Sequence, residues 1–477
     1  MAQFWKRLLG AFTTLLGAPL AVAGCATLEP ATPADLAISD VHVVDVRSGE
    51  VRYGQTILIR DSRIVSIRRN QASRPAAEIV VDGDGAYAIP GLWDAHVHIL
   101  QNDGANELRR VGPAFLSYGV THVRDMGSSP AARAALRELP EDAPHVIGAG
   151  PAFWTFELPY GDKAQQRIVR NAAETEAAVA EAAAAGADFI KVYAGFEPGR
   201  LRELATVARR HGLRIAGHAQ PGAPIDEQAR LGLSTVEHVE FGTFLGCGPD
   251  PEAYFNRTIA SRYQNSGESV PAIYTAFAAA VDREACVAMW RRAAEAGLAM
   301  TPTLIATALP PERARRLLAE TPEGLQADLC NTYLQPYAAP DAEAEQAYVQ
   351  AGRFLFSMVH EAGVPLLAGT DTPIFCSAPA SSYAVELSLL SEFGLSNLEV
   401  LQAATLTPAR VFGFGDRLGV LEAGKEADLV LLSANPLETV AAYARPVGVY
   451  TRGRWRDEAE LVRMRRVPPP ASSSSAT

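Results

Sequence analysis

From residue 35 the chain alternates apolar and polar positions, as in LAISDVHVVDVRSGEVRYGQTILIRDSRIVSI, with turn signals such as Asp61-Ser62 between the runs. Neighbouring residues of a strand face opposite sides, so a period of two predicts short antiparallel strands with one buried face. The same pattern returns near the other end, in GVLEAGKEADLVLLSAN and GVYTRGRWR. Residues 35–88 and 412–460 are therefore expected to combine into one small β-sandwich domain. Over 89–411 the period changes. Short β-branched or apolar runs alternate there with Ala-rich stretches such as ETEAAVAEAAAAGA and GRLRELATVARRHG, which have helical composition and a Gly near the close.

Eight such runs occur in order: YAIPGLWDAHVHI, GVTHVRDMG, HVIGAGPAF, ADFIKVYAG, LRIAGHAQ, STVEHVEF, LAMTPTLI and VPLLAGTD. Eight strand-helix units predict an α/β chain closed as a (β/α)8 TIM barrel, with its reactive side chains at the C-terminal ends of the strands. Two longer stretches, near 243–295 and 305–355, are expected to lie over the barrel mouth. The ending PPPASSSSAT is too polar and rich in Pro and Ser to pack, so 461–477 reads as a disordered tail.

Composition narrows the function classes. A chain of 477 residues with 48% apolar and 20% charged residues is long enough to bury about three quarters of its surface. The net charge of −11 becomes −13 if a leader carrying Lys6 and Arg7 is removed. Such an acidic surface argues against nucleic acid as a partner. Residues 1–24, MAQFWKRLLGAFTTLLGAPLAVAG, have a cationic start, an apolar stretch and small residues before Cys25, the layout of a secretory signal. Val22-Ala23-Gly24-Cys25 resembles the lipobox of bacterial lipoproteins. That implies cleavage before Cys25, a lipid anchor on its thiol, a linker over 25–34, and a body facing the periplasm of the cell envelope. An ordinary signal peptide cleaved nearby, giving a secreted protein, and an uncleaved anchor are the alternatives. The long, irregular spacing of Cys247, Cys286, Cys330 and Cys376 fits no CxxC metal site. Buried free thiols are expected first, and a disulfide among the four, which an oxidising envelope permits in any of three full pairings, is the alternative.

His96 and His98, in GLWDAHVHIL, close the first barrel run. On a strand they share a face roughly 6.6 Å apart, so both imidazoles can reach one cation. The ends of later runs carry Lys191 (fourth), His218 (fifth), His238 (sixth) and Asp371 (eighth). Each alone has an ordinary explanation, a hydrogen-bonded core histidine or a turn aspartate. A closed barrel brings all six together.

The motifs HVH, FIKVY, GHA, EHVEF and AGTDTP, with TLTPARVFGF and GVLEAGKEADLVLL downstream, resemble the metal-dependent amidohydrolase superfamily over residues 35–460. The likeness is nearest to its imidazolonepropionase-like and binuclear Xaa-Pro dipeptidase-like members. It implies two divalent ions, with Zn²⁺ first and Mn²⁺, Co²⁺ or Fe²⁺ as alternatives. His96, His98 and Asp371 hold one, His218 and His238 the other, and a carbamylated Lys191 bridges them. An unmodified ammonium about 4 Å from a divalent ion is repelled by roughly 8 kcal/mol at an effective dielectric near 20, so a bridging Lys191 must first become a carbamate. An unmodified Lys191 turned aside leaves one ion. Metal-bound water ionises near pH 7 against about 15.7 free, which eases ionisation by roughly 12 kcal/mol. The expected chemistry is attack by metal-activated hydroxide on a C–N bond of a small molecule, amide, cyclic amide or peptide-like, with Asp371 as base and then acid.

Tyr193 is a candidate oxyanion donor and Arg124 and His122 are candidate substrate contacts, with packing or a structural ion pair an equal alternative for all three; Trp154, with Phe153, Phe156 and Tyr160, is a candidate pocket wall, with loop packing the alternative. A mononuclear deaminase or a lactonase of the same fold is the rival activity. HAQPG follows the fifth strand in place of the deaminase HxxE, whereas KVYAGFEPG departs from the KVMASGG pattern of the dipeptidases. A non-catalytic, ligand-binding envelope lipoprotein is the rival class. Oligomeric state is not legible.

Overall fold

Alternation along β1 (Ala34–Val44) buries Leu36, Ile38, Val41 and Val43 and leaves Asp35 and Asp40 exposed. The computed structural model describes residues 33–467 except 74, 101–103, 137–138, 158–164, 240–242, 244–249, 265–266, 309–340 and 374–377. β1 pairs antiparallel with β2 (Val51–Arg60), and β2 with β3 (Arg63–Arg69). It also pairs in parallel with β4 (Ala77–Asp82) and β5 (Tyr87–Pro90). The chain's far end then completes the sheet. β15 (Leu429–Leu432) runs antiparallel to β5 with Val430 opposite Ile89, followed by β16 (Pro446–Thr451) and β17 (Arg454–Asp457).

The sandwich expected from the sequence is recorded as one branched eight-stranded sheet, because β1 bonds three partners at once. Leu36, Ile38, Ile57, Ile64, Leu429 and Leu431 form a core on one face. Val44, Ile89, Val430 and Leu432 pack from the other face into the main core. Strand β15, LVLL, is buried throughout, as a strand covered on both faces must be.

The middle of the chain forms parallel strands. One sheet holds β6 (Leu92–Val97), β7 (Val120–Asp125) and β8 (His145–Gly148) in that order. The other runs β10 (Gln166–Ile168), β9 (Ala152–Trp154), β11 (Phe189–Ala194), β12 (Arg214–Gly217), β13 (Leu233–Glu237) and β14 (Ala299–Thr301). Seven of the eight expected runs contain a strand. The eighth, VPLLAGTD, makes only an isolated bridge, Leu366 to Met300, and Thr372 just after it makes another to Val97. Its backbone still bonds both neighbours, Leu367 N–H to Met300 O at 2.9 Å and Asp371 N–H to His96 O at 2.8 Å. On the opposite seam, Asp188 N–H donates to Gly148 O at 3.0 Å. The described strands thus make two parallel arcs rather than one continuous ladder.

Helices join the strands. Helix Pro198–Arg210 buries Leu201, Leu204, Ala205 and Ala208 at helical spacing, with Pro in its first turn and Arg209 and Arg210 in its last. Asn171 and Asp282 cap helices Ala172–Ala184 and Arg283–Glu295 by accepting the N–H of Glu174 and Ala285.

Two expectations change here. Residues 461–464 belong to helix Glu458–Met464, capped by Asp457 and anchored by a fully buried Leu461, so the Pro- and Ser-rich ending does not set the state of the residues before it. Residues 468–477 lie outside the described residues. Cys286, expected as a free thiol, is disulfide-bonded. The expected mouth excursions contain helices Pro251–Gln264, Val270–Ala280 and Ala342–Glu361, and helix Arg283–Glu295 packs on helix Ile225–Leu231. Among the described residues no helix is long and apolar enough to cross a membrane. Cys25 and the leader lie outside those residues.

Candidate metal centre

His96 sits in β6, fully buried, with its ring fixed from behind. Its Nδ1 lies 3.0 Å from Glu237 Oε2. A carboxylate only accepts, so Nδ1 carries a proton and Nε2 is the nitrogen that faces the interior. That Nε2 is 3.2 Å from Asp371 Oδ1 and 3.3 Å from His98 Nε2, and His98 Nε2 is 3.3 Å from Asp371 Oδ1. His96, His98 and Asp371 thus place three donor atoms within 4.8 Å of one another.

The other two imidazoles continue the cluster. His238 follows β13, its ring 5.0 Å from that of His96, and His218 follows β12, 5.0 Å from His238. Thr303 Oγ1 lies 2.7 Å from His238 Nδ1 and donates its own proton to Pro302 O at 2.8 Å. His238 therefore also carries its proton on Nδ1 and turns Nε2 inward. His238, Thr303 and Asp371 all hold left-handed backbone, φ +66°, +49° and +60°. Such conformations cost non-glycine residues about 1–3 kcal/mol each, and here they aim side chains at one point.

Lys191 lies on β11 and is completely buried. Its Nζ has no hydrogen-bond partner among the described residues and stands 5.9 Å from the Tyr193 ring. Burial pulls its pKa down to about 8, against the opposing pull of Glu237 and Asp371. Burial and the Lys191 charge hold His218 well below the usual imidazole range, and burial does the same for His238. At Asp371 burial pushes upward, but His96, His98 and His238 win and leave the carboxyl well below its usual value. Burial holds His98 down as well, whereas at His96 burial is overcome by Asp371 and Glu237 and the imidazole is raised. Three imidazoles kept neutral beside an ionised carboxylate suit a cation, which would replace the proton shared by His96 and Asp371. The donor set fits a divalent cation, and an orphaned buried amine among these groups fits conversion to a carbamate.

All six expected ligand-type residues are thus brought to one end of the two arcs. Tyr193 and Trp154 are at the same place, their rings stacked 3.8 Å apart, with Tyr193 4.2 Å from the His218 ring. Trp154 is buried, and its Nε1 has no partner among the described residues. Phe153 is buried in the core, Phe156 is exposed 6.0 Å from Trp154, and Tyr160 lies outside the described residues.

Two expected substrate contacts have other partners. Arg124 is buried, its NH1 3.0 Å from Glu237 Oε1 and its NH2 2.8 Å from Thr235 Oγ1. His122 is stacked between Trp93 at 4.2 Å and His145 at 4.7 Å, with Nδ1 3.0 Å from Thr121 Oγ1 and 3.4 Å from Asp428 Oδ2. Neither reaches the imidazole cluster, because β7 turns them to the core and to the eight-stranded sheet.

Sequence reasoning passed over Glu237, Thr303 and Asp94. Asp94 Oδ2 accepts from Thr370 Oγ1 at 2.7 Å and ties β6 to the segment carrying Asp371. A signal existed: THVRD and STVEH place Arg124 and Glu237 within apolar strands, and a buried charge demands a partner.

The amidohydrolase family model matches residues 87–456. Among related proteins, ochratoxinase of Aspergillus niger is 24% identical over 370 residues, 77% of this chain and 59% of that protein. An adenine deaminase of Desulforamulus reducens is 39% identical over 67 residues, 14% of this chain and 11% of that protein. The chain therefore spans less than two thirds of the length of either relative. A solved Xaa-Pro dipeptidase with methionine bound in its active site shares the fold at a TM-score of 0.64 with 20% identity, covering 88% of this chain and 99% of that one. With the match extending from β5 through β17, over most of its length, the chain belongs to the amidohydrolase family.

Proposed function

We propose that this chain hydrolyses a C–N bond in an amide, cyclic amide or peptide-like small molecule at a centre of two divalent ions, with zinc the first choice. In this reading the two parallel arcs are the halves of a (β/α)8 barrel. His96, His98 and Asp371 would hold one ion and His218 and His238 the other, with Lys191, once carbamylated, as a further ligand. The ions supply Lewis acidity and water that ionises near neutral pH. The carrying observation is Lys191 Nζ, a fully buried amine without a hydrogen-bond partner among the described residues, under the electrostatic influence of Glu237 and Asp371.

The chain's own groups divide the remaining work. Asp371 takes the proton of the attacking water and delivers it to the departing nitrogen, so that the amine leaves neutral. Tyr193, two residues beyond Lys191 on the same strand face, donates to the oxygen that gains charge as the carbonyl becomes tetrahedral. Stacked Trp154 and Tyr193 wall the space beside His218 and exclude water from one side of the substrate. Membership of the family and the names of its relatives, a dipeptidase and an ochratoxinase, support C–N hydrolysis.

The test is metal analysis of chelator-free protein, then a screen of dipeptides, N-acyl amino acids, cyclic amides and lactones. About two ions per chain and turnover of one of the nitrogen-containing classes are expected. Lactone turnover alone, or a chain free of metal, overturns the reading.

A further inference from the structure

We propose that Arg124 and Glu237 form a positioning pair that fixes the ring and tautomer of His96 for cation binding, an inference resting on the metal-centre reading above. Glu237 has both oxygens engaged. Oε2 takes the His96 Nδ1–H at 3.0 Å, while Oε1 takes Arg124 NH1 at 3.0 Å and the Thr235 hydroxyl at 2.7 Å. Arg124 NH2 donates to that same Thr235 oxygen at 2.8 Å, closing a ring of bonds. The guanidinium is held between two aromatic rings, Phe189 at 4.4 Å and Phe412 at 4.8 Å. The carboxylate therefore cannot rotate away from His96 without stranding a buried cation.

A buried ion pair is weak evidence for stability, since apolar side chains of the same volume often do as well. What an apolar pair cannot do is accept the Nδ1 proton and so keep Nε2 turned toward His98 and Asp371, where a cation would take it as a ligand. Arg124 thus acts two steps from the cation, through Glu237 and His96. Its function is orientation, not substrate contact.

The fold also supplies a route for the test. Arg124 lines a cavity of about 220 Å³ with Phe189, Arg214, Ser234 and Phe412. Arg214 and Ser234 stand at the starts of β12 and β13, the end opposite the imidazoles, and Arg214 is exposed to solvent. Removing the Arg124 side chain enlarges this cavity into a guanidinium-shaped slot reachable from solvent.

Zinc affinity is measured by competition with a chromophoric chelator, beside thermal unfolding of the metal-free forms. Arg124→Ala and Glu237→Ala each weaken zinc binding about 10–100-fold. Ethylguanidinium restores affinity to Arg124→Ala and not to Glu237→Ala. Glu237→Gln, which keeps an acceptor oxygen, falls between, and it carries the test if the alanine variants do not fold. Variants that unfold earlier yet bind zinc as tightly as the parent make the pair structural only and overturn the proposal. Parent protein that binds no divalent ion overturns the metal-centre reading and this inference with it.

Discussion

At the level of single residues, the centre is organised by which nitrogen keeps its proton. Glu237 and Thr303 engage Nδ1 of His96 and His238, so in both rings Nε2 is the nitrogen left to face the cluster. Lys191 is the exception, an amine with nothing to donate to among the described residues. Lys191→Ala is expected to lose at least one ion per chain and about a thousandfold in kcat/KM, with partial recovery in small carboxylic acids that stand in for the carbamate. Metal content by elemental analysis, followed alongside turnover, checks both halves. Full activity in the variant removes the bridge.

Among the elements, the segment 366–372 works through backbone contacts although it forms no strand. A Cβ on Gly369 would lie 2.5 Å from Thr301 Cγ2 and 2.9 Å from His96 N, so only glycine lets this segment press against β6. Gly369→Ala should cost about 1–3 kcal/mol in urea unfolding and weaken ion binding, because it displaces Asp371 from His96. Glu386, on helix Tyr383–Glu392, accepts the N–H groups of Leu304 and Ile305 at 3.0 and 2.8 Å and so holds the turn that follows Thr303. Burial pushes its pKa up to about 8, from an ordinary 4.5. The folded chain thus retains a proton that the unfolded chain releases between those values. The contribution is complete below about pH 4.5 and is lost as pH rises toward 8, by up to ~1.4 kcal/mol per pH unit. Glu386→Gln should flatten that decline between pH 5 and 8, as read from urea midpoints at three pH values. An unchanged slope would show that Glu386 is ionised in the fold.

For the molecule as a whole, β15 to β17 complete a sheet begun by β1, so strands from before and after the parallel arcs meet in one sheet. A cation bound only by the folded form adds stability with its concentration, about 4 kcal/mol at a thousand times Kd. Dialysis against a strong chelator should therefore abolish turnover and lower Tm by several degrees, and zinc should restore both. Calorimetry that shows the same Tm with and without chelator counts against a tightly held ion. Beyond the described residues, labelled palmitate should follow Cys25 in bacterial cells and disappear in Cys25→Ser. Labelling that persists in the variant excludes this anchor.

The alternation of β1 to β3, the eight apolar runs and the polar residues ending five of them are local patterns, and local patterns are what a sequence displays. His96, His98, Lys191, His218, His238 and Asp371 were legible for that reason. Arg124 and His122 were legible as polar strand residues but not with their partners, because a strand's period shows which side chains share a face and not what each face meets. The Arg124–Glu237 pair spans 113 residues and the Asp94–Thr370 bond 276, separations that only tertiary packing brings together. Sequence by itself determined which chemical groups reach the strand ends. The tertiary structure decided which nitrogen faces inward and which charge is neutralised, because both depend on partners that pattern cannot see.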